Sequence, residues 1–255
     1  MKIAYFDCFA GISGDMTLGA LIGAGADPVR LRDGLAGLGV GGYRIEVGRK
    51  IKGAIEATDV RVVLDEPPLP HHRRLKEIRE TIRGANLSDR VKQTAERIFN
   101  RLAEAEGRVH GHSPEEVHFH EVGAVDTVID VLGAMLLAEA SGADRVVASP
   151  VNLGSGFVEF SHGRFPVPAP ACAELAKGMR TFATDSGFEL ATPTGLCLVK
   201  TMAESYGPLP LGSVLAVGYG SGTYSNGAYP TFLRTYLIED GAEDEECCGC
   251  HGHDE

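Results

Sequence analysis

The 255-residue chain has no excess of basic residues: 24 Lys and Arg stand against 35 Asp and Glu, a net charge of −11. That balance speaks against binding nucleic acid phosphates, which needs a basic surface. No apolar run approaches the ~20 residues that span a bilayer, so no membrane role is expected. The opening Met1–Asp7 is not read as a signal peptide, because Asp7 breaks its short apolar run. It reads as a buried first strand, and the cytoplasm is the expected location. There is no internal repeat, no Walker A loop and no G-x-G-x-x-G fingerprint. The six cysteines lack the paired spacing of a structural zinc site or a disulfide framework: Cys8, Cys172 and Cys197 are scattered, while Cys247, Cys248 and Cys250 crowd together.

What is present is a glycine-rich, ordinarily apolar sequence. Glycine occurs 33 times, about twice the usual ~7%. With 44% hydrophobic residues the chain can bury a sizeable core. Residues 239–255 hold eight acids and no Lys or Arg; without them the body has 24 basic and 27 acidic residues, a net of −3. The expected organisation is one body over 1–239, with a point of subdivision near the Pro-rich 67–73, and an acidic Cys/His tail over 240–255. Too poor in apolar residues to fold alone, that tail is expected to be disordered.

Strand and helix patterns interleave. Residues 2–6 predict a strand and the glycine turn after it a helix through about Gly23. A second helix is predicted over Pro28–Leu38, with Asp27 as N-cap. Strands follow at Tyr43–Arg49 and Ala54–Leu64, and helices at Arg74–Arg83 and Ser88–Gly107. A long apolar helix over Gly123–Ala140, a strand at Val146–Ser149 and a hairpin at Phe157–Pro166 come next. Helices at Pro168–Lys177 and Pro193–Tyr206 and strands at Val214–Gly220 and Thr231–Ile238 complete the body. The class is α/β or α+β, a mixed sheet with flanking helices.

Three clusters carry chemistry. In the first turn, Asp7 ends a buried strand, where open α/β sheets place ligands, and Gly11, Ser13, Gly14 and Asp15 open the helix. The densest cluster runs from His110 to Asp130. Its two His-x-His pairs, His110/His112 and His118/His120, each aim two imidazoles at one side if the backbone is extended. Asp126 and Asp130 share a helix face on an otherwise apolar helix, where a buried acid needs a partner or a metal. The tail gathers Cys247, Cys248, Cys250, His251 and His253, which suit late first-row metals. His118, His120, Glu121 and Asp7 are the catalytic candidates. Gly11, Ser13, Gly14, Asp15, Thr192 and Thr194 are the cofactor-binding candidates; Thr192 is also explained as a helix N-cap. The metal candidates are His110, His112, His118, His120, Asp126, Asp130 and the five tail residues.

Tyr5–Met16 and His118–Gly133 resemble the signature segments of the nickel-insertion proteins for the nickel-pincer cofactor. Glu189–Gly195 and Gly218–Thr223 are similar to later segments of that family. The resemblance implies a lyase of cofactor biosynthesis that inserts Ni(II) into pyridinium-3,5-bisthiocarboxylic acid mononucleotide, consuming CTP with Mn(II) or Mg(II), for the maturation of lactate racemase-type enzymes. It also implies a further CTP-binding domain: either a separate polypeptide supplies it, or this form cannot use CTP alone. A homo-oligomer stays open. Two rival readings stand beside it: nickel storage or metallochaperone work without catalysis, and a metal-dependent phosphohydrolase with Asp7 and Asp15 holding Mg(II).

Overall fold

The computed structural model describes residues 1–40, 42–64, 73–119, 125–160, 162–224 and 229–241; at Arg73 and His118 only the backbone is described. Chain order gives β1 (Lys2–Asp7), α1 (Gly14–Gly23), α2 (Pro28–Leu35), β2 (Tyr43–Lys52), β3 (Ile55–Leu64), β4 (Arg73–Arg74), α3 (Leu75–Gly84), α4 (Asp89–His110), β5 (His118–Phe119) and α5 (Val125–Ala140). Then follow β6 (Arg145–Ala148), β7 (Val151–Asn152), β8 (Phe157–Phe160), β9 (Gly163–Pro166), α6 (Pro170–Ala176), β10 (Thr181–Phe182), α7 (Pro193–Met202), β11 (Ala203–Tyr206), β12 (Ser213–Ser221) and β13 (Phe232–Glu239).

Seven strands form one mixed sheet in the order β11-β6-β1-β13-β12-β3-β2, so the expected α/β mixed sheet is what the chain builds. β1 lies inside it, parallel to β6 and antiparallel to β13, which explains its continuous apolar run, Ile3 to Phe6. The sheet joins the first strand to the last: Lys2 pairs with Glu239, and Asp7 with Arg234.

α1 lies directly on β12. A Cβ on Gly218 or Gly220 would overlap the Ala20 or Met16 carbonyl oxygen, so the glycines of the Gly218–Thr223 segment set how closely helix and sheet approach. α5 packs against α1, α2 and α4, and its Val128, Ile129, Val131 and Leu132 are fully buried. Each such side chain contributes about 1.5–3 kcal/mol.

Several boundaries differ from the sequence expectation. α2 stops at Leu35 and β2 extends to Lys52. α4 continues past Gly107 to His110, because the left-handed stop is Gly111, with φ 72°. His110 is therefore helical, and the expected extended pairing of His110 with His112 does not form. The predicted helix over Pro193–Tyr206 ends at Met202, and residues 203–206 pair with β6 as an edge strand. The Phe157–Pro166 hairpin forms as expected, with His162 and Gly163 at its turn. The Pro-rich 65–72 and the tail from 242 onward lie outside the described residues.

Candidate functional site

The first turn is tied down before it reaches α1. Ile12 donates its N–H to the Leu190 carbonyl at 3.1 Å, and Thr192 donates to the Ile12 carbonyl at 3.0 Å. Ser13 caps α1, accepting from the Met16 N–H at 3.4 Å. Asp15 then collects four donors. Its Oδ1 accepts the Met16 N–H at 2.8 Å and the Ser13 hydroxyl. Its Oδ2 accepts the Thr223 N–H at 3.1 Å and the Thr223 hydroxyl at 2.9 Å. Ser13 and Asp15 are thus capping residues, yet both also line a cavity of about 1340 Å³.

Asp126 and Asp130 enter the same cavity from α5. Asp130 sits behind Gly14, where any Cβ would overlap its carboxylate, so glycine at 14 is what admits the acid. Part of Asp130 opens to the cavity, but the group lies deep in the protein. Burial, then the charges of Asp15 and Asp126, push its carboxyl well above the usual range. A carboxyl so placed holds its proton and releases it when a cation arrives.

Two imidazoles line the cavity as well. The His110 ring, at the end of α4, stands 4.8 Å from that of His162 on the β8–β9 turn, centroid to centroid. Glu106, one turn back on α4, is 3.5 Å from His110 Nε2. Burial, followed by the neighbouring His162 and His112, lowers the His110 pKa, so its ring is held neutral, the form that binds metals. Glu189 lines the cavity and accepts the thiol of buried Cys172 at 3.4 Å. Burial, then Glu189, raises that thiol, which stays protonated. Thr192 caps α7 by accepting from Gly195 at 3.2 Å, and Thr194 beside it lines the cavity.

Other expected site residues fall elsewhere. Asp7 is not a cavity residue: Arg234 donates to its Oδ2 from Nε at 3.0 Å and again from Nη2. A carboxylate engaged by a guanidinium is neither an open ligand nor a base. Gly11 has φ 86° and packs against Leu190, a structural role. His112 is exposed and does not line the cavity. His110, His112, Asp126 and Asp130 do not form one centre, and among the described residues no three His, Cys, Asp or Glu side chains stand as a preformed metal site. The His118 side chain, His120, Glu121, Cys247, Cys248, Cys250, His251 and His253 lie outside the described residues. Reasoning from sequence missed Thr223 and Glu106. Glu106 had a signal, its i,i+4 spacing from His110; Thr223 is 208 positions from Asp15, so no local spacing joined them, although it closes the family-like segment Gly218–Thr223.

A mixed α/β body thus frames a large cavity that gathers carboxylates from two helices and a neutral imidazole from a third, groups of the kind that can ligate a metal ion. The chain belongs to the nickel insertion protein family, whose model matches residues 4–250. It is 43% identical over 239 residues to a putative nickel insertion protein of Dictyoglomus thermophilum, covering 94% of this chain and 61% of the relative. It is 41% identical over 260 residues to a pyridinium-3,5-bisthiocarboxylic acid mononucleotide nickel insertion protein of Acetivibrio thermocellus, covering 97% and 64%. A protein of the same name from Geobacillus kaustophilus is 40% identical over 248 residues, covering 94% and 60%. The chain spans about three fifths of the length of these relatives. No solved structure matches it. Among the described residues no helix is long and apolar enough to cross a membrane.

Proposed function

We propose that the chain takes part in inserting Ni(II) into pyridinium-3,5-bisthiocarboxylic acid mononucleotide, and that its cavity is where ion and mononucleotide meet. The observation that carries this is the convergence of Asp15, Asp126 and Asp130 on the wall of one cavity of about 1340 Å³. The names of the Acetivibrio and Geobacillus relatives support the substrate. Nickel is cargo here. Carboxylate and imidazole hold it less tightly than soft sulfur donors do, so the thiocarboxylates of the substrate can take it from them.

Forming two Ni–S bonds and one Ni–C bond releases one ring proton, which a base must accept. Asp130 fits that task. A cation beside it favours the carboxylate; once nickel has moved to the substrate, the proton affinity set by burial and by Asp15 and Asp126 returns. The C–H bond breaks, the Ni–C bond forms, and the proton passes to Asp130. His118, His120 and Glu121, just ahead of α5, are further proposed ligands or bases, and His110 and the tail thiols and imidazoles are proposed to collect nickel. Consumption of CTP with Mn(II) or Mg(II) and delivery to lactate racemase-type enzymes rest on the family resemblance alone.

The test is nickel insertion into the mononucleotide, with CTP and Mn(II) supplied, followed through activation of an apo lactate racemase. Asp15→Asn and Asp130→Asn are each expected to lower the rate by roughly 10–100-fold, the usual effect of disturbing a metal's supporting groups. Wild-type insertion by the double variant would overturn the reading.

A further inference from the structure

The cavity is rich in acids, yet the proposed ligand carries a phosphate, and one part of the wall differs from the rest. α7 is a ten-residue helix whose first turn reaches the cavity at Thr192, Pro193 and Thr194. Its amino-terminal donors are almost all accounted for. Pro193 has no N–H, Gly195 donates to the Thr192 hydroxyl at 3.2 Å, and Leu196 donates to the Thr192 carbonyl at 2.9 Å. The Thr194 N–H has no partner among the described residues. Neither has its hydroxyl, although the residue is only 8% exposed. That small exposed part faces the cavity. The hydroxyl itself keeps accessible surface on the cavity side, where a ligand or water can complete it.

We propose that the first turn of α7, through the N–H and hydroxyl of Thr194, is the subsite for the phosphate monoester of the mononucleotide. This rests on the function proposed above and deepens it. The positive end of the helix dipole reinforces the two donors. The carboxylates of α1 and α5 serve the cationic partners, metal ion and pyridinium ring, while α7 serves the anionic end. Glu189, the acid closest along the chain, has Oε1 engaged by the Cys172 thiol. The two subsites are also fixed relative to each other. The backbone bonds of Ile12 with Leu190 and Thr192 place the start of α7 against the stretch that bears Ser13 and Asp15.

The experiment measures binding of nicotinic acid mononucleotide, its riboside and inorganic phosphate to the full chain in phosphate-free buffer. The wild type is expected to prefer the mononucleotide to the riboside. Thr194→Val should weaken the mononucleotide by about 10-fold or more, as loss of a hydrogen bond to a charged group does, and leave the riboside unchanged. Thr194→Ser should restore wild-type binding, and inorganic phosphate should compete with the mononucleotide only where residue 194 has a hydroxyl. If Thr194→Val binds mononucleotide as the wild type does, the subsite is wrong while the function stands. If the wild type binds neither mononucleotide nor phosphate, the subsite is overturned, and the function proposed above is judged separately by the insertion assay.

Discussion

Asp15 and Thr223 are joined twice: both the N–H and the hydroxyl of Thr223 donate to the same oxygen of the Asp15 carboxylate. Thr223 is itself held from behind. The buried Lys52 ammonium donates to the carbonyls of Gly222 and Tyr224 and to the hydroxyl of Thr231. Removing Lys52 therefore reaches Asp15 through the segment between them. Lys52→Met should leave those acceptors unsatisfied and cost about 2 kcal/mol or more. Faster amide exchange is expected at 222–224 and 229–231. Unchanged exchange there would show that Lys52 holds nothing in place.

Gly14→Ala is expected to destabilise the fold by about 1–3 kcal/mol, as overpacking does, because the added methyl overlaps Asp130. Thermal unfolding measures this directly. The double variant Gly14→Ala/Asp130→Ala should recover part of the loss, since the second change removes what the methyl strikes.

Asp130 makes stability depend on pH with a definite sign. Its folded pKa is raised above the unfolded carboxylate value, about 3.9. Its contribution is therefore intact below that value and is lost as pH rises through the folded pKa. Asp130→Asn should remove this decline and raise the melting temperature at neutral and alkaline pH, while weakening nickel binding. In the wild type the thermal shift produced by nickel should grow with pH, since proton and metal compete for one carboxylate. A shift independent of pH would place the ion away from Asp130.

Asp7→Asn tests the reassignment of that residue. It removes the charge that Arg234 faces, and the loss expected is about 1–3 kcal/mol of stability. Nickel affinity, measured by calorimetry, should stay at the wild-type value. A weakened affinity at unchanged stability would return Asp7 to the site.

Much of this was legible in residue order. Buried β1, the caps Asp27 and Thr192, the hairpin at 157–166 and the shared face of Asp126 and Asp130 all follow from local pattern. What was not legible depended on distant partners. Residues 203–206 follow α7 without a breaker, and only pairing with β6 makes them a strand. Asp7 looked like a ligand until Arg234, 227 positions on in the chain, arrived on the neighbouring strand. His110 looked extended because two glycines compete to end α4; the helix runs through Gly107, whose missing Cβ leaves room for the His112 carbonyl, and stops at left-handed Gly111.

The central position of β1 also sets an order of events. Its neighbour on one side is β6, and on the other β13, which begins at residue 232. Gly222, Thr223 and Thr231, which complete the cavity wall, come just before that strand. Closing contacts of such long sequence separation is slow and entropically demanding. A chain still being synthesised carries Asp15, Asp126 and Asp130 long before it can bring them together behind a finished wall. The cavity is therefore completed only when the last strands of the body take their places.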